Sequence, residues 1–320
     1  MTRSACAAVA LALVFMAFLA TNARAQITVE TVTRTLGDGT TARGFIAFIN
    51  LTDPKLELIT TAPLPPGTGY DATLTRTDTW AASVGATLAV NANFFSTLSG
   101  TNADIIGASV SGNRVASPVR TYGTNGPDPA LSISIDRIAT IGPISQNTAN
   151  ASLVAVAGIG PSDTDSDPGT LLVTDGVNTG ATARVQPLVR NPRTAVATNQ
   201  AGTLLIVAVI DGRQPSWSVG MTLPELGAYL IERGAWRAVN LDGGGSSSFW
   251  YKPGSAAATV NRPSDGAFRA VANHLGFKIN TDSYRTTRQI RGAWLRPPTS
   301  LATLETHLAQ LRNARVTDLF

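Results

Sequence analysis

The sequence predicts an α+β protein: a single domain with a mixed, mostly antiparallel β-sheet flanked by a few helices, plus a C-terminal helical tail. Three observations carry this reading. Short β-rich stretches recur along the chain with turn residues between them. Helical start and stop signals before residue 282 are confined to two stretches. The 320 residues include 29 Gly and 18 Pro, which suits many tight connections. With 43% hydrophobic and only 14% charged residues, a disordered polyelectrolyte and a coiled coil are excluded.

In chain order, Arg3, the apolar run Ala5 to Ala20 and the small-x-small site Ala23-Arg24-Ala25 read as a signal peptide cleaved near Ala25. The expectation is a secreted or periplasmic protein. The run is short for a membrane span, and the mature chain has no second one. Cys6, the only cysteine, lies in the leader, so the mature chain can form neither a disulfide nor a thiol nucleophile. Thr28 to Thr33, Gly44 to Asn50 and Lys55 to Thr60 read as antiparallel strands, separated by Gly37-Asp38-Gly39 and Asp53-Pro54. After a Pro/Gly linker at 63–69, Thr77 to Val84 reads as a short helix leading into a strand, Thr87 to Asn91. Residues 99–190 read as strands, such as Leu131 to Ile135 and Leu153 to Val156, joined by long loops. A hairpin follows, with Thr194 to Thr198 and Leu204 to Ile210 flanking Asn199-Gln200-Ala201-Gly202. Thr222 with Glu225 has the spacing of a capping box, opening a helix to about Arg233 that Gly234 stops. The strand Trp236 to Leu241 then enters Asp242-Gly243-Gly244-Gly245-Ser246, and a further strand covers Ser247 to Tyr251. Leu301, Leu304, Leu308 and Leu311 share one face of a terminal helix. The domains are therefore a leader (1–25), a catalytic body (26–282) and a basic tail (283–320).

The formal charge of +4 does not describe the body. Arg3 and Arg24 leave with the leader, and the tail carries six Arg against Glu305 and Asp318, which leaves the body at −2. Nucleic-acid binding therefore has no support from charge.

Five polar constellations stand out, four of them at strand ends, where binding and catalytic loops are commonly mounted. They are Asn91-Ala92-Asn93-Phe94-Phe95, Asn191-Pro192-Arg193-Thr194-Ala195, Asp211-Gly212-Arg213, Asn240 to Ser246, and Asn261-Arg262-Pro263-Ser264-Asp265-Gly266 with Arg269. The three glycines after Asp242 allow a backbone nest for an anion, or simply a turn between strands. Asp211 before Gly212 is a turn former or an acid, and Glu225 reads as a helix cap. Asn91 and Asn93 either reach a ligand or satisfy loop backbone, and Phe94 and Phe95 read as core. His274 reads as a packed histidine. Asp163, Asp165 and Asp167 alternate as Ca²⁺ ligands do, but Pro168 stands where the loop needs Gly, and a solvated acidic loop is the reading.

In this order, together with Gly220-Met221-Thr222-Leu223-Pro224-Glu225-Leu226, the motifs resemble the phosphodiester glycosidase family across residues 60–280. The segment between 140 and 185 and the tail have no counterpart in the resemblance. It implies hydrolysis of a sugar-1-phosphodiester to free sugar and a phosphomonoester. Such chemistry asks for a carboxylate beside an oxocarbenium-like sugar and for cations and N–H donors around the phosphate. Asp242 is the expected carboxylate and Asp211 the second acid/base. The expected substrate-binding set is Asn91, Asn93, Arg193, Arg213, Gly243, Gly244, Gly245, Ser246, Asp265 and Arg269; Arg193 has an alternative as an ion-pair partner of Asp242 or Asp211. The sequence demands no cofactor, while a divalent cation, Ca²⁺ or Mg²⁺, on Asp211 or Asp242 stays open. Cleavage of the P–O bond by a phosphodiesterase, and a non-catalytic phosphoglycan-binding module of the cell envelope, are the alternative functions. A serine hydrolase is disfavoured, since Gly244-Gly245-Ser246-Ser247-Ser248 lacks the final Gly of a nucleophile elbow.

Overall fold

Strands Ile27–Thr35 and Thr41–Asn50 pair antiparallel through nine residues and begin a seven-stranded sheet in a computed structural model of the chain. The structure describes residues 27–120, 126–158 and 170–280, together with the backbone of two short strands, Gly292–Ala293 and Asp318–Leu319. The signal peptide, the Asp163-Asp165-Asp167 loop and the tail helix lie outside the described residues.

The seven-stranded sheet continues through Leu204–Ile210, Arg193–Thr198, Arg237–Asn240, Val173–Thr174 and Val177–Asn178. A second sheet orders Arg114–Ser117, Ser109–Ser111, Ser152–Ala157, Pro129–Ser134 and Ala139–Pro143. A third orders Thr259–Val260, Phe249–Tyr251, Leu88–Asn91, His274–Ile279 and Leu56–Thr60. Pairing within these sheets is antiparallel. The fold is thus mostly antiparallel β with few helices.

Side-chain alternation explains how the layers join. From one face of the 193–198 and 204–210 hairpin, Val196, Leu205, Val207 and Val209 enter a central core. There they meet Leu131 and Val154 of the second sheet and Leu88, Val90 and Phe277 of the third. Ala195, Ala197, Ile206 and Ala208 point the other way and pack on helix Leu223–Glu232 through Leu223, Leu226 and Leu230. Burial of each large aliphatic side chain contributes about 1.5–3 kcal/mol. Helix Leu223–Glu232 begins with the expected capping box: Thr222 Oγ1 accepts from Glu225 N, and Glu225 Oε2 accepts from Thr222 N. Arg190 also pairs with Glu225 at 2.7 Å, fixing that residue as a cap. Helix Thr77–Val84 matches its sequence bounds. The helix Gln146–Ala151, capped by Ser145, was not expected from its weakly patterned sequence.

His274 is packed, as expected. Its ring stacks on Trp80 at 4.7 Å, Nδ1 lies 3.2 Å from Thr61 Oγ1, and Nε2 lies 3.1 Å from the Thr75 carbonyl. Burial pulls its pKa down to about 3, so the imidazole is neutral.

Candidate functional site

Three adjacent strands of two sheets deliver their loops to one place. The 237–240 strand ends at Leu241, whose N–H donates to Thr194 O in the neighbouring strand, and the next residue is Asp242. Asp242 N–H donates to Ala92 O at 3.0 Å, which ties this loop to the end of the 88–91 strand in the third sheet. Asn91 completes the tie: Nδ2 donates to Asp242 O at 2.6 Å, while Oδ1 accepts from Thr194 Oγ1 and Ser248 N. Asn93 does similar work one step on, with Nδ2 donating to the Ile106 and Ala108 carbonyls and Oδ1 accepting from Asn273. Both asparagines are fully buried, so they satisfy protein groups and set the position of the loop.

The glycine loop differs from an open nest. Gly243 N–H donates to Asp242 Oδ1 at 2.8 Å, Gly244 N–H to Pro192 O at 2.9 Å and Ser246 N–H to Gly243 O at 3.1 Å. Residues 244–246 close a 3₁₀ turn, and most of the amides expected to hold an anion are spent inside the protein. The glycines matter for space. Gly244 has φ +59, and a Cβ there would sit 3.3 Å from both terminal nitrogens of Arg213. A Cβ on Gly245 would overlap Arg269 Nη2 and Asp265 Oδ2. Two arginines therefore lie directly over the loop that carries Asp242.

Asp242 keeps part of its surface exposed, yet loss of water around the carboxyl pushes its pKa up to about 6. Hydrogen bonds from Ser246 and Gly243 and the charge of Arg269 oppose that rise without cancelling it. Arg213 donates Nε to Asn191 Oδ1 at 3.1 Å, and among the described residues its two terminal nitrogens have no hydrogen-bond acceptor. Its backbone is left-handed, φ +59, an uncommon state for a residue with a Cβ that holds the guanidinium over Gly244. Arg269 donates Nε and Nη2 to Asp265 Oδ2 at 3.0 and 2.6 Å, so Asp265 orients it.

Two expected residues are placed differently. Arg193 is 2% exposed and donates to four backbone carbonyls, those of Met221, Val185, Gln186 and Val189, instead of to Asp242 or Asp211. Burial, with the charge of Arg213, lowers its pKa to about 10. It knits the 185–189 loop to the 221 turn and has little left for a phosphate. Asp211, also 2% exposed, accepts from Trp217 Nε1 at 2.9 Å, Asn261 Nδ2 at 2.9 Å and Arg262 N at 3.1 Å. Burial raises its pKa, and these three donors hold it back. The carboxylate joins the 211–218 loop, which carries Arg213, to the 261–269 loop, which carries Asp265 and Arg269. Gly212 lets that first loop pass close over Asn191, Pro192 and Gly220.

Trp217 was not singled out from the sequence, and Asn261 stood out only as the first residue of its motif, with no role assigned to it. The guanidinium groups of Arg43 and Arg262 pack on the Trp217 ring, 4.7 and 5.6 Å from its centre. No local spacing announces that role; only the fold brings residues 43, 217 and 262 together. Among the described residues, no three His, Cys, Asp or Glu side chains gather as a metal-holding group, and no helix is long and apolar enough to cross a membrane.

The family model for phosphodiester glycosidase matches residues 84–278, which span every one of these loops. The chain belongs to the phosphodiester glycosidase family. Solved structures share the fold of this phosphodiester glycosidase family member. The catalytic domain of zebrafish N-acetylglucosamine-1-phosphodiester alpha-N-acetylglucosaminidase, auto-inhibited by its pro-peptide, aligns with TM-score 0.56 and 20% identity, over 79% of this chain and 82% of that one. A hypothetical protein from Synechocystis aligns with TM-score 0.54 and 16% identity, over 79% and 62% of the two chains. A Burkholderia pseudomallei K96243 protein described as exported aligns with TM-score 0.52 and 18% identity, over 75% and 74%. No curated protein sequence matches this one.

Proposed function

We propose that the protein is an exported hydrolase that cleaves a sugar-1-phosphodiester at the bond between the anomeric carbon and oxygen. The observation that carries this reading is the convergence of Asp242, Arg213 and Arg269 on one loop, in a chain of this family. In the proposed reaction the C–O bond breaks with its electron pair leaving on the phosphate oxygen. The oxygen of water joins the anomeric carbon and its proton passes to solvent, giving a free sugar and a phosphomonoester. Charge grows on the phosphate as the bond breaks, and Arg213 and Arg269 supply donors aimed at that charge. Asp242 serves the sugar side, ionised above its pKa of about 6, against the developing positive charge at the anomeric centre. Its partial desolvation strengthens that interaction. Asp211 is assigned to holding the two arginine loops together, not to proton transfer. The leader sequence, Arg3 to Ala25, supports export.

The test is release of free sugar by folded, purified protein from N-acetylglucosamine-1-phospho-methylmannoside and related sugar-1-phosphodiesters, with and without chelator. In ¹⁸O water the label is expected in the sugar. Label in phosphate would establish P–O cleavage instead, and binding without turnover would leave a phosphoglycan-binding module.

A further inference from the structure

A cavity lies beside the candidate site. Its volume is about 770 Å³, and it is walled by the 63–71 segment, the 95–99 and 102–105 hairpin and residues 115–120. Its chemistry is polar and open. Ser96 and Asp104 are cross-strand partners in the hairpin, while the neighbouring Ala103 and Ile105 turn into a small apolar cluster. Asp71 accepts from Ile105 N at 3.1 Å at the base of the cavity, and Tyr70 and Ser117 also line it. Arg120 lies at the end of this lining.

The cavity is built onto the Asp242 loop through one short stretch of chain. Ala92 accepts from Asp242 N at 3.0 Å, and Phe94, two residues on, accepts from Ile106 N at 2.9 Å. Asn93 between them grips the Ile106 and Ala108 carbonyls. Two residues of extended chain with those bonds put the cavity wall at Ile106 within roughly 13 Å of the Asp242 backbone. The buried, fully bonded Asn93 makes this separation rigid.

We infer that this cavity is a glycan subsite, which takes an uncharged or cationic oligosaccharide arm of the substrate cleaved at Asp242. The inference rests on the proposed function for its link to turnover. Hydroxyl-rich ligands need acceptors and donors in alternation, and Asp71, Asp104, Ser96 and Tyr70 supply them, while the buried Ser117 hydroxyl is spent on the Ile105 carbonyl. The two carboxylates outnumber Arg120, the one cation among the described residues of the lining, and so disfavour an arm with a second phosphate or a uronic acid: Asp104 already raises the pKa of Asp71, behind the larger effect of burial. The subsite therefore selects against polyanionic glycans, while the arginines at the cleavage point accept the one phosphodiester.

The experiment uses Ser96→Trp, an exposed strand position where Trp suits the backbone and fills the cavity mouth. Calorimetry with chitotriose, mannotriose and trigalacturonate reads binding without any turnover. The expected result is binding of a neutral trisaccharide, at least about tenfold weaker trigalacturonate binding, and about tenfold weakening of the neutral ligand by Ser96→Trp. Asp104→Lys is expected to bring trigalacturonate binding up. Absence of neutral trisaccharide binding, or binding that Ser96→Trp leaves untouched, overturns the subsite whether or not the protein is a hydrolase. Kinetics then address the link. Extending the model phosphodiester by two neutral sugars, on the sugar side or the phosphate side, is expected to lower KM, and Ser96→Trp to remove that gain with the short substrate unaffected. No gain on either side would detach the subsite from the reaction. Failure to cleave even the short substrate would instead count against the proposed function.

Discussion

Replacing Asp242 by Asn separates the chemical role of this residue from its effect on the fold. The carboxyl pKa is about 6 in the folded protein against an ordinary value of 3.8. Between those values the folded state binds more protons than the unfolded state, so this group's contribution makes stability fall as pH rises. At about 1.4 kcal/mol per unit, the ionised carboxylate lowers stability by up to about 3 kcal/mol above pH 6. The amide has no charge to desolvate, and its oxygen can still accept from Gly243 N. Asp242→Asn is therefore expected to be more stable than the parent at pH 8, by about 1–3 kcal/mol, with the difference shrinking toward zero near pH 4. Urea unfolding of both proteins at pH 4, 5, 6 and 8 measures this difference, and other titrating groups cancel between them. Sugar release by the variant is expected to be lost at every pH, while the parent loses activity as pH falls below about 6. A stability difference that does not change with pH, or a variant less stable at pH 8, would refute the claim that desolvation governs this carboxyl.

Other substitutions test the surrounding geometry. Arg213→Gly relieves a left-handed residue and removes the proposed phosphate donor, so kcat/KM is expected to drop about 10²–10³-fold with stability held or raised by up to about 1 kcal/mol, read by kinetics and thermal melts. Gly245→Ala places a methyl in the Arg269–Asp265 pair and is expected to abolish turnover with little change in melting, whereas Gly276→Ala, which crowds the Trp80 ring, is expected to lower stability by about 1–3 kcal/mol and leave the kinetics of surviving native protein intact. Trp217→Phe deletes a donor to Asp211. KM is expected to rise as the arginine loops loosen, while the acid limb near pH 6 stays where Asp242 puts it; loss of that limb would return Asp211 to an acid/base role. His274→Gln is expected to lose the acid-dependent part of unfolding between pH 3 and 6.5, seen as a flatter stability curve in that range.

Local patterns made the longer elements legible, while short strands such as Ser109–Ser111, Val173–Thr174 and Thr259–Val260 carry too few residues to show a period. The 193–198 and 204–210 hairpin, the capped helix Leu223–Glu232 and the helix Thr77–Val84 all carry their own period and punctuation. Helix Gln146–Ala151 has no apolar stripe to betray it, only the Ser145 cap. The loops of the site were legible as motifs, because Asp-Gly-Arg and Asp-Gly-Gly-Gly encode backbone freedom within a few residues. How each polar group is used was not. The guanidinium of Arg193 meets carbonyls, and the carboxylate of Asp211 meets Trp217 and Asn261, through contacts made only after distant loops pack. The amides of residues 243, 244 and 246 turn inward for the same reason: Pro192 and the turn itself reach them first.

The stacked histidine that opens the 274–279 strand of the third sheet has a further consequence when its titration is set beside that of Asp242. His274 resists its proton down to about pH 3, so its contribution makes stability grow as acidity is relieved up to about 6.5. The Asp242 contribution runs the opposite way from about 4 to 6. Across that interval the two slopes offset one another, and the pair leaves a plateau where either alone would leave a ramp. Between about pH 4 and 6 the fold thus carries a strained carboxyl whose pull on the folding equilibrium is countered by a buried imidazole elsewhere in the same chain.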